Sequence, residues 1–159
     1  MNNTPFSEPS LHFLFMACHT KFQRLYMEAM NQQFPEGDKL LPGQPKILEF
    51  LKMNPNAYQR QIADGCLLEP STLSLILGKM EKDSKLITRS KSNNNNKNSV
   101  VSLTDKGKEM AERAISIFSQ LEARIQEKCT EQEKRMVKVI LRKIYEQETY
   151  LLDGNEEII

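Results

Sequence analysis

Two short β-prone runs interrupt a chain that is otherwise patterned for helix, and they constrain its fold more than any other feature. Leu86-Ile-Thr-Arg-Ser-Lys and Ser99-Val-Val-Ser-Leu are rich in branched side chains and stand close together. Between them lies the asparagine-rich segment Asn93–Asn98. Asparagine tolerates the left-handed backbone of a hairpin tip; a disordered polar loop is the other reading of the tip alone. Ahead of the runs, Gln59–Cys66 has the pattern of a short helix anchored by Ile62 and Ala63. Leu67-Leu68-Glu69 follows as a turn, and Pro70 suits the first position of a new helix, where its missing N–H costs nothing. After the runs, Thr104 is a good N-cap for a further helix. The order is helix, turn, helix, strand, turn, strand, helix. It predicts a mostly α fold with a small β-hairpin wing: a winged helix-turn-helix, which presents one helix to a DNA groove and a loop beside it.

Long amphipathic helices flank this unit. Leu11–Phe34 carries apolar residues (Leu11, Leu14, Phe15, Cys18, Phe22, Leu25, Tyr26, Ala29, Met30) at three- and four-residue steps. Gln44 or Pro45 to Met53 reads as the next helix, with Ile47, Leu48 and Leu51 inward. Thr104–Lys128 has an apolar stripe from Met110 to Ile125. Thr130–Leu152 opens on a capping box, Thr130 with Glu133, and runs its stripe through Met136, Val137, Ile140, Leu141 and Ile144. The expected organisation is one domain over 1–159. Within it, 44–103 forms the DNA-binding module, and 11–34 and 104–152 form dimerisation helices. A module of about 60 residues cannot cover three long apolar faces, so a two-fold homodimer is expected, with a monomeric helical bundle as the alternative.

Composition narrows the class. No apolar run approaches the roughly 18–20 residues that span a bilayer, and no basic segment precedes Leu11, so neither a membrane protein nor a secretory signal is expected. Cys18, Cys66 and Cys129 are odd in number and widely spaced. That predicts reduced thiols in a cytoplasmic protein, and a buried, inert Cys18. The net charge of +1 hides an asymmetry: from Ser84 to Ser102 there are four bases and no acid. Phosphate affinity responds to that local field and not to the total. No Ser/His/Asp order, glycine-rich phosphate loop or clustered carboxylates with ligand spacing is present, so no enzyme, cofactor or metal site is expected. His12 and His19, seven residues apart, have no further ligand cluster beside them.

Leu-Glu-Phe-Leu-Lys, Gln-Ile-Ala-Asp, Pro-Ser-Thr-Leu-Ser, Leu-Ile-Thr-Arg and Val-Ser-Leu-Thr-Asp-Lys-Gly occur in this order and spacing. Together they resemble the multiple-antibiotic-resistance regulator (MarR) family from about Leu11 to Gln147, most specifically over Leu86–Gly107. The resemblance implies a cytoplasmic homodimer that binds double-stranded operator DNA, usually as a repressor, and is released by a small phenolic or lipophilic effector or by thiol oxidation. It implies a recognition helix at Pro70–Lys82 and a wing at Thr88–Val101. Ser71, Thr72, Ser74, Leu75 and Lys79 would meet base edges or phosphates. Arg60 and Gln61 would grip phosphate from the preceding helix; on the wing Arg89 matches the family's arginine, Lys91 and Lys97 would contact phosphate, and Asn96 or Lys97 would enter the groove. At the wing tip, where the family carries an arginine, this chain has Asn95-Asn96-Lys97, and Lys85 stands where a glycine usually closes the recognition helix. His12 replaces the reactive cysteine of the family's peroxide-sensing branch.

His12, Met16, His19, Phe22 and Tyr26 are candidates for lining an effector cavity; an ordinary core role is the other reading of each. The alternative to a DNA-binding regulator is a winged-helix protein-interaction module, or a redox-responsive regulator, with weak or no DNA binding.

Overall fold

The computed structural model describes residues 9–35, 38–91 and 99–152, arranged as six helices and three strands. They fall into two units, one ending at Ser119 and one starting at Gln120.

In the first unit, helix α1 (Leu11–Gln33) ends where the Phe34 N–H reaches the Met30 carbonyl, and Met30 and Phe34 are buried. Further up the helix the apolar stripe is not covered within this chain, and the expected burial of Cys18 does not hold there. Every residue from Leu11 to Thr20 except Phe15 is exposed, Cys18 included. The contacts of α1 with α5 lie lower, where Phe22 and Tyr26 pack on Phe118 with ring centroids 6.5 and 5.2 Å apart. A helical period shows that an apolar face exists but not what covers it.

Helix α2 (Gln44–Met53) starts after Gly43, whose φ of 87° suits a residue without a Cβ, and takes Pro45 in its first turn. Its Ile47, Leu48 and Leu51 are buried as the period predicts. A two-residue strand, β1 (Ala57–Tyr58), leads into α3 (Gln59–Cys66), which buries Ile62, Ala63 and Cys66. Burial pushes the Cys66 thiol pKa up and so keeps it protonated. Leu67, in the left-handed region, turns the chain into α4 (Pro70–Lys82). The Leu73, Leu77 and Met80 side chains of α4, spaced four and three apart, are buried.

Strands β2 (Ile87–Lys91) and β3 (Ser99–Leu103) pair antiparallel in the register Ile87↔Leu103, Arg89↔Val101, Lys91↔Ser99. The sheet order is β1-β3-β2, so β3 is central and Val101 is fully buried. The segment 92–98, with the expected hairpin tip, lies outside the described residues.

At the base of the wing, Leu86 N–H donates to the Met80 carbonyl (2.8 Å) and the Leu86 carbonyl accepts from Thr104 N–H (3.0 Å). The Thr104 hydroxyl donates to the Lys85 carbonyl (2.8 Å) and caps α5 (Asp105–Gln126) by accepting from Gly107 N–H (3.0 Å). Gly107 belongs there because a Cβ would sit 1.9 Å from the Leu86 carbonyl oxygen. Lys85 has φ 54°, which is why glycine commonly takes the place.

The second unit begins within α5 and continues into α6 (Glu131–Leu152). The expected capping box is formed: Glu133 Oε2 accepts from Thr130 N–H (2.7 Å), and Thr130 Oγ1 accepts from Glu133 N–H (3.3 Å). Met136, Val137, Val139, Ile140, Leu141 and Tyr145 of α6 are exposed. No described helix is long and apolar enough to cross a membrane.

Candidate nucleic-acid interface

Helix α4 has two faces of different chemistry. Leu73, Leu77 and Met80 face the core, while Ser71, Thr72, Ser74, Leu75, Lys79 and Lys82 are exposed. Leu75 is 73% exposed and adds an apolar group to this otherwise polar face. The first internal bond of the helix runs from Leu73 N–H to the Glu69 carbonyl at 2.9 Å. The Ser71 and Thr72 amides therefore precede the intrahelical ladder and point along the positive end of the helix dipole. Two hydroxyls and two amides at that end suit phosphate oxygens or base acceptors. Lys79 and Leu75 also border a cleft of about 220 Å³ with Leu41, Pro42, Gln44 and Ile76. Gln44 is 1% exposed; its carbonyl oxygen accepts from Leu41 N–H at 2.9 Å, and its amide nitrogen has no partner among the described residues.

The expected phosphate contacts of α3 are placed differently from each other. Arg60 has a side chain 92% exposed and only a long 3.9 Å pairing with Asp64, so it is available. Gln61 is partly committed, since its carbonyl oxygen caps α3 by accepting from Tyr58 N–H at 2.8 Å.

On the wing, Arg89 turns back to α4. Its Nε donates to Glu81 Oε2 at 2.9 Å and its Nη2 lies 2.6 Å from the same oxygen. The arginine hydrogen bond holds the Glu81 carboxyl below the usual carboxylate range. Lys91 ends β2, and Asn96 and Lys97 lie outside the described residues. Glu81 is not legible as a site residue in the sequence: a glutamate eight residues before an arginine fits neither a helical nor a strand period, and the turn at Lys85 brings the two together.

The five candidate effector residues separate into groups. His12 is exposed and shares a 3.1 Å hydrogen bond with the Ser10 hydroxyl, and His19 is exposed. Met16 lines a depression of about 460 Å³ with Phe13, Ala17 and Thr20. Phe22 and Tyr26 instead join Phe118, and burial pushes the Tyr26 phenol pKa up. Among the described residues, no three His, Cys, Asp or Glu side chains gather to hold a metal ion.

A helix-turn-helix whose second helix exposes a polar face, followed by a hairpin braced against that helix, is the winged helix-turn-helix fold. Known structures share it. The chain is similar to the Staphylococcus aureus MepR–DNA complex at 22% identity, covering 88% of this chain and 99% of that one, with a TM-score of 0.78. It is similar to the transcriptional repressor CouR bound to a 23-mer DNA duplex at 20% identity, with 86% and 92% covered and a TM-score of 0.75. It is also similar to the PcaV transcriptional regulator of Streptomyces coelicolor in complex with its natural ligand, at 16% identity, 89% and 98% covered, and a TM-score of 0.70. No protein-family model and no curated protein matches the sequence.

Proposed function

We propose that this chain is a dimeric DNA-binding transcriptional regulator of the MarR type, a repressor released by a small ligand. The observation that carries the reading is the outward face of α4. Ser71, Thr72, Ser74, Leu75 and Lys79 stand clear of a core that Leu73, Leu77 and Met80 complete, and the wing beside them carries bases and no acid. Such a helix matches the major groove in width and offers hydroxyls, a methyl-contacting leucine and a lysine. The fold it shares with two DNA-bound structures supports the same reading.

Dimerisation follows from the apolar faces left open on α1 and on α6. Leu11, Phe13, Leu14 and Met16 on the first, and Met136, Val137, Ile140 and Leu141 on the second, are too many and too contiguous for a soluble monomer. A second copy would cover them and set two α4 helices on one duplex. A small phenolic or lipophilic effector is part of this proposal; the likeness to PcaV in complex with its natural ligand supports control by a ligand, and the aromatic cluster of Phe22, Tyr26 and Phe118 is where we place its action.

The test is fluorescence anisotropy with a duplex from upstream of the protein's own gene, across a salt series. With about four to six phosphates neutralised per dimer, the log–log slope is expected near −4 to −5. Absent or salt-independent binding would remove the proposal.

A further inference from the structure

Among the residues of α4, Pro70–Lys82, Glu81 is the one acid, and an acid on a helix offered to DNA repels phosphate. Its carboxylate is spent on the wing. Both hydrogen-bonding nitrogens of Arg89 converge on Glu81 Oε2, at 2.9 and 2.6 Å, and the two side chains are only 23% and 32% exposed. Other bonds already hold the wing at its root: Leu86 N–H to the Met80 carbonyl, and Thr104 N–H to the Leu86 carbonyl. The inner strand β3 is braced separately by β1, through Ala57↔Val101 and Tyr58↔Val100. Strand β2 is an edge of the sheet, paired on one side only. Arg89 lies three residues beyond the root at Leu86, roughly 10 Å along a strand. A contact there adds a second point of attachment between α4 and the hairpin, farther out than the bonds at the root.

We propose that Glu81 is a positioning residue for DNA binding: its carboxylate latches the edge strand of the wing to the last turn of the recognition helix, and Arg89 works through that latch instead of gripping phosphate. The inference rests on the DNA-binding reading above. Simple charge counting makes the opposite prediction. Removing an acid and freeing an arginine would strengthen binding and steepen its salt dependence. If Glu81 positions the wing, Glu81→Gln weakens binding to the specific duplex while leaving binding to unrelated DNA nearly unchanged.

The experiment uses the full chain and two duplexes, one from upstream of its own gene and one of scrambled sequence. Glu81→Gln and Arg89→Gln are each expected to lose about tenfold in affinity for the first duplex, the size of coupling usual for a contacting charged pair. The double variant Glu81→Arg with Arg89→Glu, which rebuilds the pair in reverse, is expected to recover most of that loss. Amide hydrogen exchange without DNA is expected to be faster over 87–91 in Glu81→Gln than in the parent, and near parental in Glu81→Asp. Specific binding by Glu81→Gln that equals or exceeds the parent's, or unchanged exchange over 87–91, overturns the proposal. If the parent binds neither duplex, the DNA reading fails by itself, and the exchange measurement still decides whether Glu81 holds the wing.

Discussion

Gly78 and Gly107 lie inside helices in opposite surroundings, and alanine at each should change stability with opposite sign. At Gly78, in α4, an added Cβ meets nothing within 4 Å. At Gly107, in the first turn of α5, it would lie 1.9 Å from the Leu86 carbonyl oxygen and 2.9 Å from the carbonyl carbon. Close carbon–oxygen contacts in proteins are about 3.3 Å or longer, so the overlap is roughly 1.4 Å. The Leu86 carbonyl cannot retreat freely, because it accepts from Thr104 N–H at 3.0 Å while Leu86 N–H is bound to Met80. Relief therefore moves the start of α5 and disturbs the Thr104 cap on Gly107 N–H. Overpacking of this kind costs about 1–3 kcal/mol, and loss of an N-cap about 1 kcal/mol more. Helix propensity alone favours alanine over glycine by about 0.8–1.0 kcal/mol. Gly78→Ala should thus gain up to about 1 kcal/mol, and Gly107→Ala should lose about 1–3 kcal/mol net. Urea denaturation followed by circular dichroism, at one fixed protein concentration, reads both as midpoint shifts at constant slope. A Gly107→Ala protein as stable as the parent, or more so, would refute the close approach at the wing root.

Three further outcomes follow from exposure and charge. Leu75→Ala should leave stability within about 0.5 kcal/mol, because Leu75 is largely exposed. It should nevertheless lower affinity for the specific duplex by about 1–3 kcal/mol if Leu75 reads a thymine methyl; unchanged affinity in the anisotropy assay would show that Leu75 does not. Ile140→Glu should convert a dimer into monomers in sedimentation, since each such side chain is worth about 1.5–3 kcal/mol when covered and symmetry counts it twice. A parent that already sediments as a monomer would contradict the dimer. Finally, the folded Glu81 carboxyl has a depressed pKa, so its ion pair contributes above the unfolded carboxylate value of about 4.3 and is lost as pH falls through the folded one. Stability measured from pH 5 down to pH 3 should therefore fall more steeply in the parent than in Glu81→Gln, and parallel curves would be the refuting result.

Features written into a few adjacent residues were legible in the sequence. Pro70 opens α4, Thr130 and Glu133 cap α6, and the inward positions of α2 follow the helical period. Features decided by distant residues were not. Strand β1 has only two residues and exists by pairing with Val100 and Val101, more than forty positions away. The stripe on α1 was visible, but Cys18 and its neighbours are exposed, because amphipathicity carries no information about the covering surface. Arg89 was readable as a base on a wing, and its commitment to Glu81 was not.

The root of the wing explains why Leu86–Gly107 is the stretch that most resembles a known family. One buried residue, Leu86, joins three elements: its N–H binds the end of α4, its carbonyl binds the start of α5, and β2 follows directly. The Lys85 carbonyl takes the Thr104 hydroxyl, and Gly107 leaves room for the Leu86 carbonyl. A substitution at Thr104 or Gly107 therefore acts on the angle between α4 and the hairpin without touching the outward face of either. The residues that fix the root cannot change without moving α4 and β2 at once. The resemblance at Leu86–Gly107 is thus a statement about geometry; if the chain binds DNA as proposed, base specificity is expected from Ser71, Thr72, Ser74 and Leu75 on the outward face of α4.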